Sequence, residues 1–245
     1  MRRSPSPLHK LDTEGLKDCR WLLLPGTLCT SAVFDGFLDQ LGVETGQRHS
    51  VALEWPSVNE YHAIFASLAD DTIVCGFSLG AIVAAHHAHR MTARQLVLFG
   101  LNPFPDDPAK EQSRHDLAAD VLRLGGRAAL RARDVEAFGP APNATREMIY
   151  NMADQTEDMI QAQTALALTR PGAQHALSGA HMPVFSLTGS QDNAAPPAQG
   201  RAAAEAAPKG QFHELPGLGH FALLEDPDAC AAAFLHLWET SNGPA

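Results

Sequence analysis

A serine flanked by glycines carries the clearest chemical signal in this chain. Ser78 is the centre of Gly76–Gly80, which reads GFSLG and has the spacing G-x-S-x-G. The run Thr72–Cys75 before it predicts a strand, and the Ala-rich run Leu79–Arg90 after it predicts a helix. On so sharp a turn, only glycine two residues before and after the serine leaves room for neighbouring chains. The turn raises the hydroxyl beside the free amides that begin the helix. The context therefore predicts a nucleophilic serine; the alternative is a structural glycine-rich turn.

A serine hydroxyl is a poor nucleophile unless a neighbouring base takes its proton. The sequence has 12 histidines that could be this base. His86, His87 and His89 lie beyond the first turn of the helix after Ser78, so we expect them to point away from its hydroxyl. His220 differs from these three, because it follows a predicted strand in a Gly-rich loop just before the last predicted helix. The alternative for His220 is a surface loop histidine with no chemical role.

No other motif indicates a metal or a cofactor. His86 and His89 are three residues apart on one helix face, but no cysteine or carboxylate lies near them in sequence. The glycines do not form a dinucleotide-binding fingerprint, and no P-loop lysine follows them. We therefore expect neither a bound metal nor a cofactor.

The elements that must position these residues alternate along much of the chain. Short apolar runs and Ala-rich helical runs follow one another, which is typical of an α/β domain with a parallel sheet and crossover helices. The predicted strands are Trp21–Leu24, Ser50–Leu53, Thr72–Cys75, Gln95–Phe99, Pro183–Thr188 and Gln211–Leu215. The predicted helices are Glu60–Ala69, Leu79–Arg90, Pro197–Ala206 and Phe221–Trp238.

The alternation stops in the middle of the chain. Residues 102–182 contain no convincing strand and have a helical composition, which predicts a helical insertion far longer than an ordinary loop. The core domain would then consist of residues 1–101 and 183–245. An insertion after the carboxyl end of a strand lies over the edge where open α/β sheets bind ligands, so we interpret it as a lid. Its Leu, Ala and Met content favours a substrate with an apolar acyl or alcohol portion.

With this serine motif and the run Gly219-His220-Phe221, the sequence resembles the α/β-hydrolase family from about Arg20 to Trp238. The resemblance implies a mostly parallel central sheet flanked by helices and a Ser-Asp-His triad. The catalytic histidine of the family occupies the position of His220. The acid of the family lies between the serine and the histidine in chain order, three residues after a glycine at a strand end, which matches Asp192.

An oxyanion formed on attack needs two N–H donors. The backbone amide of Leu79, directly after the nucleophile, is expected to be one of them. By resemblance to the H-G-x segment of the family, the amide of Thr27 supplies the other, with Leu28 next in line. Pro25 stands where the family usually has histidine, which puts the support of this loop in question.

The resemblance implies hydrolysis of a carboxylic ester through an acyl-enzyme on Ser78. Among relatives, the chain looks most like the small lidded carboxylesterases, a group that includes the pimeloyl-carrier methyl ester esterase. A thioesterase, a lactonase or a carbon–carbon bond hydrolase would use the same triad. A non-catalytic ligand receptor on this fold is the alternative from another class.

Charge and composition bear on the partners. A formal net charge of -10 disfavours nucleic acid and anionic membranes. No apolar run approaches the ~20 residues that span a bilayer, and the first ten residues lack the apolar stretch of a secretory signal. Four cysteines without a C-x-x-C pair favour a reduced, cytoplasmic setting.

The predicted insertion has one basic half. Arg127 and Arg131 are four residues apart, so they share a helix face. This face could dock an acidic carrier protein or the tail of an acyl-CoA. The alternative is a solvated helix surface. We therefore expect a small-molecule ester as the substrate, either free or linked to a carrier protein or CoA.

Overall fold

The computed structural model describes residues 14–242 and contains one six-stranded sheet. Its strand order is β2-β1-β3-β4-β5-β6, and each neighbouring pair is parallel. The strands are β1 Arg20–Leu24, β2 Arg48–Ser50, β3 Thr72–Phe77, β4 Gln95–Phe99, β5 Val184–Gly189 and β6 Gly210–Leu215. The predicted α/β class and the parallel sheet are therefore confirmed.

Eleven α-helices accompany the strands over the described residues. They are α1 Asp35–Gln40, α2 His62–Ala66, α3 Leu79–His86, α4 Glu111–Leu124, α5 Gly126–Arg131, α6 Pro142–Thr156, α7 Ile160–Thr169, α8 Gln174–Ser178, α9 Pro197–Ala206, α10 Ala222–Glu225 and α11 Pro227–Asn242. Short 3₁₀ segments occupy several of the connections. In this part of the chain no helix has both the length and the apolar content to cross a bilayer.

Apolar core packing covers both faces of the sheet, which is why its central strands are apolar throughout. Alternate residues of each strand point to opposite faces. On one face, Trp21 of β1 and Phe99 of β4 belong to a cluster with Phe37 of α1 and Phe234 of α11. On the other face, side chains of the same strands pack against α3 and α9. The sheet is thereby fixed between two helical layers, with its carboxyl edge free for chemistry.

The region between β4 and β5 contains only helices and loops, as the sequence predicts. Here α4 packs against α5 and α7, and α5 packs against α6. The last helix of the region, α8, packs against α3 and α9 of the core layer instead. The boundaries 102–182 and the function of this region as a lid stay predictions.

Several element ends differ from the sequence-based expectation. The second strand is Arg48–Ser50 rather than Ser50–Leu53, because this edge strand is polar and Arg48 is held by Asp35 and Asp39. The predicted helix Phe221–Trp238 is two helices, separated at Asp226. Asp226 has an extended φ of -153°, since the residue before a proline avoids the helical region.

Two other predicted helices are shorter than expected. The predicted Glu60–Ala69 begins as a 3₁₀ turn at Val58 and is α-helical only over His62–Ala66. The helix after Ser78 ends at His86, and the chain continues in turns to Arg90. The local apolar periodicity therefore located these helices but not their ends.

Candidate active site

Ser78 lies at a strained corner between β3 and α3. Its φ is +51° and its ψ is -116°, values that a residue with a side chain rarely adopts. A Cβ at Gly76 would lie 2.6 Å from the Cα of Ala81, and one at Gly80 would lie 2.0 Å from the carbonyl oxygen of Leu24. Both flanking glycines are therefore required by close backbone approach, which is the physical reason that the sequence analysis assigned to them.

The structure brings Ser78, His220 and Asp192 together at the carboxyl edge of the sheet. Nε2 of His220 lies 3.0 Å from Oγ of Ser78, and Nδ1 of His220 lies 2.8 Å from Oδ2 of Asp192. The three residues follow β3, β6 and β5, whose carboxyl ends share one edge. The imidazole thus bridges the hydroxyl and the carboxylate in an unbroken hydrogen-bonded chain.

Asp192 is held rigidly behind the imidazole. The residue is 2% exposed, and its Oδ1 accepts hydrogen bonds from the amides of Ala194 and Ala195 at 2.9 and 2.8 Å. These bonds fix the carboxylate so that Oδ2 faces His220. An ionised carboxylate accepts but does not donate, so Nδ1 carries the proton and Nε2 is free to accept the proton of Ser78.

Glu225 supports the loop of His220, and no local sequence pattern distinguishes it. Its Oε2 accepts a hydrogen bond from the amide of Gly219 at 2.5 Å, and the side chain is nearly fully buried. Burial raises the pKa of Glu225, although the amides of Gly219 and Phe138 act in the opposite direction. The carboxyl therefore links the loop that precedes His220 to residues of the helical region.

The loop after β1 lies against the serine corner. The carbonyl of Pro25 would be 2.5 Å from a Cβ placed on Gly80, so the loop passes directly beside α3. Thr27 and Leu79 line the same cavity as Ser78. The loop thus reaches the serine corner with proline in place of the usual histidine.

The amide of Leu28 has a different partner. It donates a buried hydrogen bond of 3.0 Å to Oε1 of Gln163 in α7, across 135 positions of sequence. Leu28 itself adopts a left-handed φ of +56°. Its amide is therefore engaged by the helical region, which leaves Thr27 as the donor candidate in this loop. Gln163 has no local sequence signal, because its partner is distant in the chain.

The cavity at Ser78 is small and has basic walls. Its volume is about 100 Å³, and Lys110, Arg114 and Arg170 line it together with Ser78 and His220. A second, wider groove of about 460 Å³ also meets His220, and its lining includes Phe138 and Phe221. The imidazole therefore faces two spaces of different size and character.

Arg127 and Arg131 share a face, but the structure places them against acidic residues of α6 rather than at the cavity. Arg127 forms ion pairs with Glu147 at 2.8 Å and Asp154 at 2.9 Å. Arg131 contacts the other oxygen of Glu147 at 2.8 Å and stacks over Tyr150. Their charges are largely compensated within the helical region, and docking of a carrier by this face stays a prediction.

One of the histidines after the serine corner, His87, packs in the core. His87 is buried against the ring of Phe65, and its Nε2 lies 2.8 Å from the carbonyl oxygen of Val58. Burial lowers the pKa of His87 to about 4, despite the opposing effect of the bond to Val58.

Over residues 14–242, no group of three His, Cys, Asp or Glu side chains is placed to hold a metal ion. All four cysteines are buried and unpaired.

The sheet is parallel, a strained serine lies between strand and helix, and His220 and Asp192 follow the ends of later strands. Together these features define a protein of the α/β-hydrolase class. The sequence profile of the alpha/beta hydrolase family matches residues 21–233, and the chain belongs to this family. Family membership supports a hydrolase reaction on a small-molecule substrate. Among curated protein sequences, none matches the chain.

Solved structures agree in fold. A thermophilic esterase from Thermogutta terrifontis, solved with malate bound, is 20% identical and has a TM-score of 0.74, over 91% of this chain and 90% of the esterase. A crystal structure from a study of the carboxylesterases of Nitrososphaera gargenis is 14% identical, with a TM-score of 0.74 over 91% of each chain. The enol-lactonase from Burkholderia xenovorans is 18% identical, with a TM-score of 0.71 over 90% of this chain and 92% of the lactonase. At these identities the similarity shows the fold alone.

Proposed function

We propose that this protein is a serine hydrolase that cleaves a carboxylic ester through an acyl-enzyme on Ser78. The observation that carries the proposal is the hydrogen-bonded chain from Ser78 through His220 to Asp192, at 3.0 and 2.8 Å. A nucleophile within hydrogen-bond distance of a base that is itself oriented by a third group is the arrangement used for covalent catalysis. Its position at a cavity gives a substrate access to the hydroxyl.

The proposed reaction has two stages. His220 takes the proton of Ser78 as Oγ attacks the ester carbonyl, and the amides of Leu79 and Thr27 stabilise the oxyanion. Asp192 keeps Nδ1 protonated and stabilises the imidazolium that forms. His220 then protonates the leaving alcohol. A water, activated by the same imidazole, attacks the acyl-enzyme and releases the acid and free Ser78.

Replacing Ser78 with Ala tests the proposal. We expect kcat for a short p-nitrophenyl ester to fall by roughly 10³- to 10⁶-fold without loss of the fold, because the reaction then lacks its nucleophile. The matched control is Ser113→Ala, since Ser113 is an exposed serine of α4. A fluorophosphonate should label the wild-type protein and the control but not Ser78→Ala. Retained turnover or retained labelling of the Ser78 variant would contradict the proposal.

The same residues could attack a thioester, a lactone or a carbon–carbon bond substrate. A panel of esters, thioesters and lactones of graded chain length ranks these alternatives by kcat/KM. We propose the carboxylic ester first, because the sequence resembles the small lidded carboxylesterases. Complete inertness towards the panel and towards fluorophosphonate would favour the ligand receptor instead.

A further inference from the structure

Three cations of the helical region line the cavity at Ser78, and one carboxylate lies behind them. Arg170 and Arg114 both bind Asp106, which precedes α4 in the loop after β4. Nη1 of Arg170 lies 2.8 Å from Oδ1 of Asp106, and Arg114 contacts both carboxylate oxygens at 2.6 and 2.5 Å. Lys110 lines the same cavity. We call these four residues the basic cluster.

The basic cluster carries an excess of positive charge. Asp106 is the one carboxylate that forms ion pairs within the basic cluster, and the guanidinium groups of Arg114 and Arg170 share it. Among the described residues no acidic side chain is paired with Lys110, and none lines the cavity. Three cations against one anion leave these four residues with a net charge of about +2, in a protein whose formal net charge is -10.

Burial makes this excess effective. The side chain of Arg170 is 2% exposed and that of Asp106 is 6% exposed, whereas that of Arg114 is 29% exposed. Burial lowers the pKa of Arg170, with the carboxylate of Asp106 opposing that effect. Nε of Arg170 is buried and has no hydrogen-bond partner among the described residues. A buried cation that shares its counter-ion is stabilised by a second anion in the adjoining cavity.

The size of the cavity restricts the ligand. The cavity is small, at about 100 Å³, and three cations line it, so it suits a short anionic arm of a substrate. Guanidinium groups present planar donors that match a carboxylate. The Leu, Ala and Met content of the insertion favours an apolar substrate portion. The basic residues that line this cavity favour an anionic portion instead.

We propose that the substrate carries a carboxylate a few bonds from its scissile carbonyl, and that Arg114, Arg170 and Lys110 bind this carboxylate. This inference rests on the proposed function of Ser78. The substrate class is therefore a half-ester of a short dicarboxylic acid, or an ester with an equivalent anionic arm. The basic cluster determines specificity, and Ser78, His220 and Asp192 perform the chemistry.

A kinetic experiment compares p-nitrophenyl hemisuccinate with p-nitrophenyl butyrate, a neutral ester of similar length. We expect the wild-type protein to favour the hemisuccinate in kcat/KM. In Arg114→Gln and in Lys110→Gln, the ratio of the two kcat/KM values should fall about 10- to 100-fold, as expected for loss of a charge-assisted contact. The matched control is Lys17→Gln, because Lys17 is an exposed lysine outside the cavity and should leave the ratio unchanged.

A binding measurement without turnover complements the kinetics. Succinate should raise the melting temperature of the wild-type protein, and neutral succinamide should not, because only the carboxylate binds the native basic cluster. Arg114→Gln should lose the rise. Arg114→Gln removes the partly exposed pair with Asp106 but leaves the buried pair between Arg170 and Asp106 in place, and Lys110→Gln removes neither pair.

The outcomes separate the two proposals. Turnover of the butyrate ester with no preference for the hemisuccinate, and no rise with succinate, overturns the carboxylate site and leaves the serine hydrolase standing. Fluorophosphonate labelling that fails at Ser78 overturns the hydrolase, and with it the inference about its substrate. A preference that survives in both variants removes the basic cluster from substrate recognition.

Discussion

Replacing Gln163 with Leu would test whether the helical region holds the oxyanion loop in place. Oε1 of Gln163 accepts the buried hydrogen bond from Leu28, the residue after the proposed donor Thr27. Gln163 is 1% exposed and Leu28 is 2% exposed, so water cannot replace the lost acceptor. Leu28 also holds a left-handed φ of +56°, which costs a leucine about 1 kcal/mol and needs such a restraint.

The expected changes in the free energy of unfolding and in kcat follow from these contacts. An unsatisfied buried donor costs about 1–3 kcal/mol, so the free energy of unfolding should fall by that amount. Complete loss of an oxyanion donor lowers kcat by roughly 10²- to 10³-fold. Because Gln163→Leu displaces the loop instead of deleting the donor, we expect kcat to fall about 10- to 100-fold with KM little changed.

The assay is steady-state hydrolysis of a short p-nitrophenyl ester, combined with urea unfolding. Gln161→Leu is the matched control, since Gln161 lies in the same helix but is exposed. The control should match the wild-type protein in both measurements. If Gln163→Leu loses stability but keeps its full kcat, the loop does not depend on this bond for its catalytic position. If it loses neither, the hydrogen bond itself has no energetic role.

Three further predictions concern the triad, the serine corner and the core. Asp192→Asn should lower kcat about 10⁴-fold with KM little changed, because the amide no longer enforces the tautomer with Nδ1 protonated; an active variant in the p-nitrophenyl assay would refute this role. Gly80→Ala should prevent native folding, since the added Cβ would lie 2.0 Å from the carbonyl oxygen of Leu24; a normal melting temperature would contradict it. The pKa of His87 is depressed from 6.5 to about 4, so its contribution to stability is present above pH 6.5 and is lost as pH falls towards 4. That loss amounts to about 3 kcal/mol. His87→Gln, which keeps a donor for Val58, should reduce this acid destabilisation in urea unfolding at pH 7 and 4.5, whereas an unchanged pH dependence would refute the assignment.

Local sequence patterns were sufficient to predict the serine corner and most strands of this protein. The serine corner could be predicted because the G-x-S-x-G motif, the strand before it and the helix after it are contiguous in sequence, although glycine is required at position 80 by the backbone of Leu24 in β1. The strands of the sheet interior could be predicted because burial on both faces makes them continuous apolar runs. The break before Pro227 had a local signal too, since a proline constrains the residue before it. His220 could be singled out by its Gly-rich loop before the last predicted helix, but its role and that of Asp192 needed the family resemblance in addition, because their partners are distant in sequence.

Only the tertiary structure decided what surrounds Ser78. Gln163 meets Leu28 across 135 positions, and Arg114 and Arg170, from separate segments of the helical region, meet at Asp106 and line one cavity. Arg127 and Arg131 are basic in sequence, yet Glu147 and Asp154 compensate them in space. Helix and strand signals are short-range, since they depend on periodicity and local sterics. Charge balance and hydrogen-bond partners depend on how those elements pack, and that is set by burial of distant apolar surfaces against one another.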